Sequence, residues 1–401
     1  MPLYAMGADT ADPGSDTQRF SFGGFGTLGV VHSSESEADF SATIFQPNGA
    51  GHTHSWSADV DSEIGAQLSA NITPKLLAVL QVIAEQNQDN SYKPHVEWLN
   101  LKYQITPDLT VRIGRSVLST FLFSDTVVVG YTFPWVRPPI EVYSLLPITN
   151  TDGVDISDRL NIGDFTNTLQ GHYGKSDSER PHGGGTVYSM DSFGFTNTTE
   201  YHSFTLRISY QSARQTIAAL DSSFDAFRDF GPQGIAIANK YDSDNKSAVT
   251  EVIGATYDPG RWFVISEWGH TKTNAFLGEN TAWYVTGGYR ARTFTPYVTY
   301  AQETAASNFD RGLTVTGLPP VPAGIAAGLN AGLNTLLKSI PAQKTVSVGL
   351  RWDFMKNLDL KLQFDHTRLG ADSYGTLINI QPGFRPGGTV NLTSATVDFV
   401  F

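Results

Sequence analysis

The sequence predicts an all-β fold, a sixteen-stranded antiparallel transmembrane β-barrel, and three observations carry that prediction. Apolar and polar residues alternate with period two along most of the 401 residues. Charged residues make up 16% of the chain, against about a quarter in an ordinary soluble domain, while aromatic residues reach 12%. Connections between the alternating segments are short and long by turns, as they are where one rim of a barrel carries tight turns and the other carries loops.

The alternation is clearest near the C-terminus. In TVSVGLRWDF, Val346, Val348, Leu350, Trp352 and Phe354 share one face, while Ser347, Gly349, Arg351 and Asp353 share the other. Beyond Met355-Lys356-Asn357, residues Leu358, Leu360, Leu362 and Phe364 again oppose Asp359, Lys361, Gln363 and Asp365. Successive side chains of a pleated strand point to opposite sides, so each segment is a strand with one apolar and one wet face. Read this way, strands fall at 19–33, 59–70, 75–88, 95–104, 109–115, 153–161, 165–174, 187–197, 202–213, 247–258, 261–273, 280–291, 294–304, 345–354, 358–368 and 388–401.

Seven connections are short, around Ile72-Thr73-Pro74, Ile105 to Asp108, Ile162-Gly163-Asp164, Thr198 to Tyr201, Asp258-Pro259-Gly260, Arg292-Thr293 and Met355 to Asn357. Four of the others are very long: 34–58, 116–152, 214–246 and 305–344. An even strand number brings both ends of the barrel to the short-turn rim, and closure leaves no unpaired edge for hydrocarbon to meet. Aromatics recur near strand ends, among them Phe20, Phe22, Phe165, Tyr257, Trp262, Tyr289, Trp352 and Phe399, where interfacial girdles place them. No repeat of about 40 residues supports a propeller.

Composition also excludes whole classes. There is no cysteine, hence no disulfide scaffold and no thiolate chemistry. The formal charge of −12 argues against nucleic acid as a partner. The most apolar stretch, Leu76 to Ala84, is interrupted by Gln81 and is far short of the roughly 20 residues of a helical span. Residues 1–18 read as a disordered segment or the remnant of a trimmed leader, and 19–401 as a single barrel domain.

The chain ends VNLTSATVDFVF, with Val397, Phe399 and Phe401 in one register, and its first strand reads RFSFGGFGTLGV. These two ends and the third long loop resemble the Gram-negative general porins, and nearly the whole chain resembles them in architecture. The resemblance implies a sixteen-stranded, usually trimeric diffusion channel of the bacterial outer membrane. It also implies a third loop, within 116–152, that folds inward as the constriction, and recognition of Phe401 by the barrel-assembly machinery. Here that loop contains TFPWVRPPIEVY, which resembles a gammaproteobacterial subgroup and has no evident acidic tip. It is too apolar to lie in water, with Phe121, Leu122, Phe123, Val127, Val128, Val129, Phe133 and Trp135, and Pro138-Pro139 stiffens it.

If apolar faces meet lipid, the alternate residues line a channel. Parity then places Lys102, Arg207, Arg290, Arg351, Asp353 and Lys361 on the pore wall. Around the third loop, Arg112, Arg115 and Arg159 are expected to oppose Asp125, Glu141 and Asp155, with Arg137 nearby, across a narrow aqueous gap. Opposite charges there would set up a transverse field that passes water and polar solutes and retards apolar ones. Arg137 and Glu141 have a second reading, as ties between loop and wall. Arg115 is out of parity with Arg112, so a bulge is needed to bring both inside.

The expected partners are ions and small polar solutes, outer-membrane lipid and lipopolysaccharide, and two further copies of the chain; small residues at Gly24, Gly26, Ala66 and Ala70 would suit subunit contact. The excess of acid suggests a preference for cations. His52 and His54 read as solvated rather than as metal ligands, no cofactor is implied, and 317–342 is expected to hold a helix through Ala323 to Ile340, over the pore mouth or against a neighbour. His202-Ser203 and His32-Ser33 are present, but GxSxG is not, so no catalytic residue is assigned. A substrate-specific channel is the alternative function.

Overall fold

The computed structural model describes residues 19–182, 184–306 and 308–401, so the reading of residues 1–18 lies outside the described residues. The barrel strands are β1 (Phe20–Ser33), β2 (Glu63–Thr73), β3 (Leu76–Ala84), β4 (His95–Gln104), β5 (Leu109–Val117), β6 (Asn150–Ile162), β7 (Phe165–Glu179) and β8 (Thr186–Tyr201). They continue as β9 (Phe204–Ile217), β10 (Lys246–Tyr257), β11 (Trp262–Thr273), β12 (Glu279–Tyr289), β13 (Phe294–Ala305), β14 (Gln343–Met355), β15 (Leu358–Leu369) and β16 (Thr389–Val400). Each pairs antiparallel with its neighbours in sequence, and β16 returns to pair with β1. The result is a closed sixteen-stranded barrel, as the alternation predicts.

The seam between β1 and β16 shows why closure is specific. Gly26 lies opposite Phe399, and the next outward glycine, Gly24, lies beneath the Phe401 ring. A Cβ on Gly24 would come within 2.2 Å of the Phe401 ring, and one on Gly26 within 2.5 Å of Phe399. The two phenylalanines therefore fill notches that only glycine leaves open. This corrects the expectation that Gly24 and Gly26 are free for subunit contact: the chain's own last strand covers them.

Outward residues are apolar and exposed, as at Leu28, Ile113, Tyr173, Val298 and Val348, whereas their neighbours Thr27, Thr299 and Ser347 are buried within the barrel. A belt of that size is unfavourable in water and favourable in hydrocarbon. Aromatics pair across strands near the short-turn rim, with Phe165 on Tyr201 at 4.2 Å and Phe294 on Trp352 at 5.7 Å. The turn expected at Thr198 to Tyr201 instead falls at His202-Ser203, with His202 at φ 51°. Thr198 to Tyr201 keep the ladder going, and the Phe165–Tyr201 stack holds its end.

The long loops are structured. Asp39–Phe40, Ala50–Gly51 and Leu377–Ile378 form a small three-stranded sheet. Helices α2 (Asp221–Arg228), α3 (Gly231–Tyr241) and α4 (Pro320–Lys338) pack on the tops of β8 and β9 through Phe224, Phe227, Ile237, Leu333, Leu337, Val187 and Ile217. Helix α4 starts three residues before the expected one and ends two before it. Among the described residues no helix is long and apolar enough to cross a membrane.

Candidate functional site

The loop between β5 and β6 enters the barrel. Its apolar residues Phe121, Phe123, Phe133, Trp135, Val142 and Leu145 pack on an inner wall that is itself apolar, built from Val252, Phe263, Ile265, Ala282, Tyr284, Tyr297 and Ala301 of β10–β13. That wall departs from the simple rule of apolar out and polar in. Over Trp262–Ile265 of β11 and Ala282–Val285 of β12 both faces are apolar, because one meets the outer belt and the other meets the loop.

Polar ties fix the loop where its backbone would otherwise be buried unsatisfied. Trp135 donates through Nε1 to Thr286 at 3.0 Å and Thr299 at 3.1 Å. Glu267, fully buried, accepts from the Leu122 N–H at 2.8 Å, the Tyr143 hydroxyl at 3.0 Å and the Tyr284 hydroxyl at 2.8 Å. The Val136 N–H donates to Gln363 at 3.2 Å. Sequence reasoning did not single out Glu267; its signal was a carboxylate on the inward parity of a strand whose first residues, Trp262 to Ile265, are apolar on both faces.

Several residues expected to line open water are instead clamps on this loop. Lys361 is fully buried, donates to the Gly130 carbonyl at 2.5 Å and pairs with Asp398 at 3.0 Å. Arg351 donates to the carbonyls of Tyr131 at 2.7 Å and Phe133 at 3.1 Å, and pairs with Asp359 at 3.0 Å and Asp353 at 2.8 Å. Arg207 reaches the Phe121 carbonyl at 2.5 Å and Asp125 at 3.2 Å. Arg137 is bound to Asp61 at 2.7 and 2.5 Å and to Ser394 at 3.0 Å. Glu141, on the short helix α1 (Ile140–Tyr143), accepts from Gln343 at 2.8 Å and from Thr345. For Arg137 and Glu141 the geometry is therefore that of the tie between loop and wall. Burial raises the Glu141 carboxyl above its ordinary range, against the pull of those two hydrogen bonds.

Two expected constriction residues lie elsewhere. Arg115 is opposite Leu99, an exposed outward residue, and forks onto Asp152 at 2.8 and 2.7 Å on the outer face. No bulge turns it inward. Arg159 keeps inward parity but stands four residues from Asp155 toward the short-turn rim, about 13 Å along the strand. Arg290, just after β12, is likewise at that rim, held at 2.7 Å by Asp258 of the turn after β10.

The open wall lies across from the packed one. Lys102, Arg112 and Asp155 are register partners on β4, β5 and β6, so their side chains share one level of the inner face. Arg112 donates to Asp155 at 2.7 Å, and Gln170 of β7 donates to the other carboxylate oxygen at 2.7 Å. Asp125, in the turn Ser124–Thr126, is the loop carboxylate that keeps substantial exposure (43% for its side chain). Its basic partner is Arg207 of β9, at 3.2 Å.

Above the loop, a cavity of about 1030 Å³ opens toward the long-loop rim. Glu63 and Glu85 line it, as do Leu118, Leu145, Leu146 and Phe276. Glu85 lies just beyond β3, where burial and then Glu97 push its carboxyl up to about 7. Near the same rim His52 and His54 are exposed, with His52 meeting the Ser36 carbonyl at 3.2 Å. His202, by contrast, sits in a turn on the opposite rim, 3.8 Å from Asp164.

No protein-family model and no curated protein sequence matches the chain. Solved structures do. OmpF of Salmonella typhi, in complex with daunomycin, superposes over 95% of this chain and 97% of its own, with TM-score 0.57 and 13% identity. The outer membrane channel DcaP of Acinetobacter baumannii covers 95% and 97%, with TM-score 0.54 and 11% identity. OmpT of Vibrio cholerae, an outer membrane protein in a trimer form, covers 96% and 100%, with TM-score 0.50 and 10% identity. At these identities the likeness is one of fold.

Proposed function

We propose that this chain is a porin of the Gram-negative outer membrane, passing ions and small hydrophilic solutes by passive diffusion. The observation that carries the reading is the divided lumen: one wall is sealed by the inserted loop, and the facing wall keeps Lys102, Arg112 and Asp155 at one level. Asp125 on the loop and the basic wall would set the transverse field of the constriction. The outer belt supports the membrane reading. The fold shared with OmpF and DcaP supports the channel reading.

A trimer is proposed as well, with copies meeting over β2 and β3. The outward residues there are small or aliphatic, including Ala66, Ala70, Ala78, Leu80 and Val82, and carry none of the aromatics that mark the lipid belt elsewhere. OmpT of Vibrio cholerae, which has a trimer form, supports it. Assignment to the gammaproteobacterial subgroup rests on TFPWVRPPIEVY alone, and contacts with lipopolysaccharide and the assembly machinery follow from the same reading.

Purified protein in planar bilayers tests this. The expected result is ohmic single-channel conductance in KCl, with polar solutes passing according to size. Absence of ion current would overturn it. The second reading, a substrate-specific channel, is favoured by the apolar lining of the cavity above the loop, and one solute giving saturable block would select it.

A further inference from the structure

The cavity above the loop is unusual for a conduit of polar solutes. Its lining mixes uncovered apolar side chains with carboxylates: Ile44 is exposed and Phe45, Leu146 and Ile148 are half-buried, whereas Leu118, Leu145 and Phe276, which also line it, are already buried. The carboxylates are Glu63 on β2 and Glu85 just beyond β3. Asp61 beside them is already matched by Arg137, whereas among the described residues no lysine or arginine pairs with Glu63 or Glu85. The near neighbour of Glu85 is His95, at 3.7 Å. Arg180 and Lys338 also line the cavity, but among the long loops at its upper end.

Apolar side chains lining a water-filled mouth gain by being covered, and unmatched carboxylates gain by meeting a cation. A sugar would hydrogen-bond the carboxylates but leave their charge unmatched and the apolar lining largely uncovered. An apolar anion would cover the apolar lining and be repelled by the carboxylates.

We propose that this cavity binds organic cations with an apolar body, the charged nitrogen set against Glu63 and Glu85 and the aliphatic or aromatic body against Ile44, Phe45, Leu146 and Ile148. The inference rests on the second reading, a channel with a solute-binding site, and specifies its solute class. Pockets of several hundred Å³ with apolar walls and a few placed polar groups hold small organic ligands in this way. A solute so held would pause above the constriction and interrupt the ion current.

The test uses single channels of the whole protein in KCl at a mildly alkaline pH, with three probes. Benzyltrimethylammonium has both features, tetramethylammonium has the charge alone, and benzenesulfonate has the ring with the opposite charge. Saturable block by benzyltrimethylammonium, with each of the other two at least about tenfold weaker, is expected. E85Q, in a loop, and separately E63Q should raise its half-blocking concentration by about tenfold. Equal block by benzenesulfonate, or block unchanged in both variants, would overturn the proposal. Full KCl current without block by any probe would overturn it while leaving the channel reading intact; no current at all would overturn both.

Discussion

On β10–β13 the inner face of the barrel carries Val252, Phe263, Ile265, Tyr284 and Tyr297; on β4–β7 it carries Lys102, Arg112, Asp155 and Gln170. Both faces follow the same two-residue period, and both are enclosed by the same cylinder. What separates them is the partner. The first wall is roofed by a loop rich in aromatics, so its apolar atoms are removed from water and its few polar atoms find loop backbone. The second is not roofed by those aromatics, and its charges pair with one another across adjacent strands, Arg112 with Asp155. A lumen wall is therefore dry or wet according to what the third loop covers, not according to strand position.

That comparison can be broken most severely at Trp135, the aromatic centre of the dry wall. Trp135→Ala removes a fully buried ring and leaves Thr286 and Thr299 without its donor. A loss of about 3–5 kcal/mol is expected, read as a lower midpoint of unfolding, together with higher and noisier single-channel conductance as the loop loosens.

A smaller change tests the charge at the mouth of the wet lumen. Glu85 lies at about 7 through burial and Glu97, so it gains a negative charge as pH rises through that value. The potassium-to-chloride permeability ratio, from reversal potentials in a salt gradient, is expected to rise between about pH 6 and about pH 8, and E85Q to flatten the rise. A ratio that falls with pH would contradict the sign. The smallest effect is expected at Arg159, which stands toward the short-turn rim from Asp155 on the same wall. Arg159→Gln should move that ratio slightly toward cations and leave thermal stability within about 0.5 kcal/mol of the parent.

Much of this was legible in the sequence, and the reasons are particular. Val346 to Phe354 and Leu358 to Phe364 announce their strands because a pleated chain has a period that no helix shares. The third loop betrayed its burial through Phe121, Phe123, Phe133 and Trp135. The reading faltered where a residue's partner is distant in sequence. Lys361 and Arg351 have the parity of pore residues, and only the inserted loop makes them clamps. Arg115 was ambiguous until its register opposite Leu99 put it outside. Gly24 and Gly26 looked like a subunit surface until Phe401 and Phe399 covered them.

By itself, then, the order of apolar and polar residues determined the strands, their number, the two unlike rims and the belt that faces hydrocarbon, because each depends on neighbours one or two positions away. Which inward charges hold the loop and which do not was decided only by the tertiary structure. Lys361 meets Gly130, and Arg137 meets Asp61, across segments the chain brings together only when β16 closes on β1 and the loop drops inside. Burial and ion pairing are set by those long-range neighbours, and no local pattern encodes them.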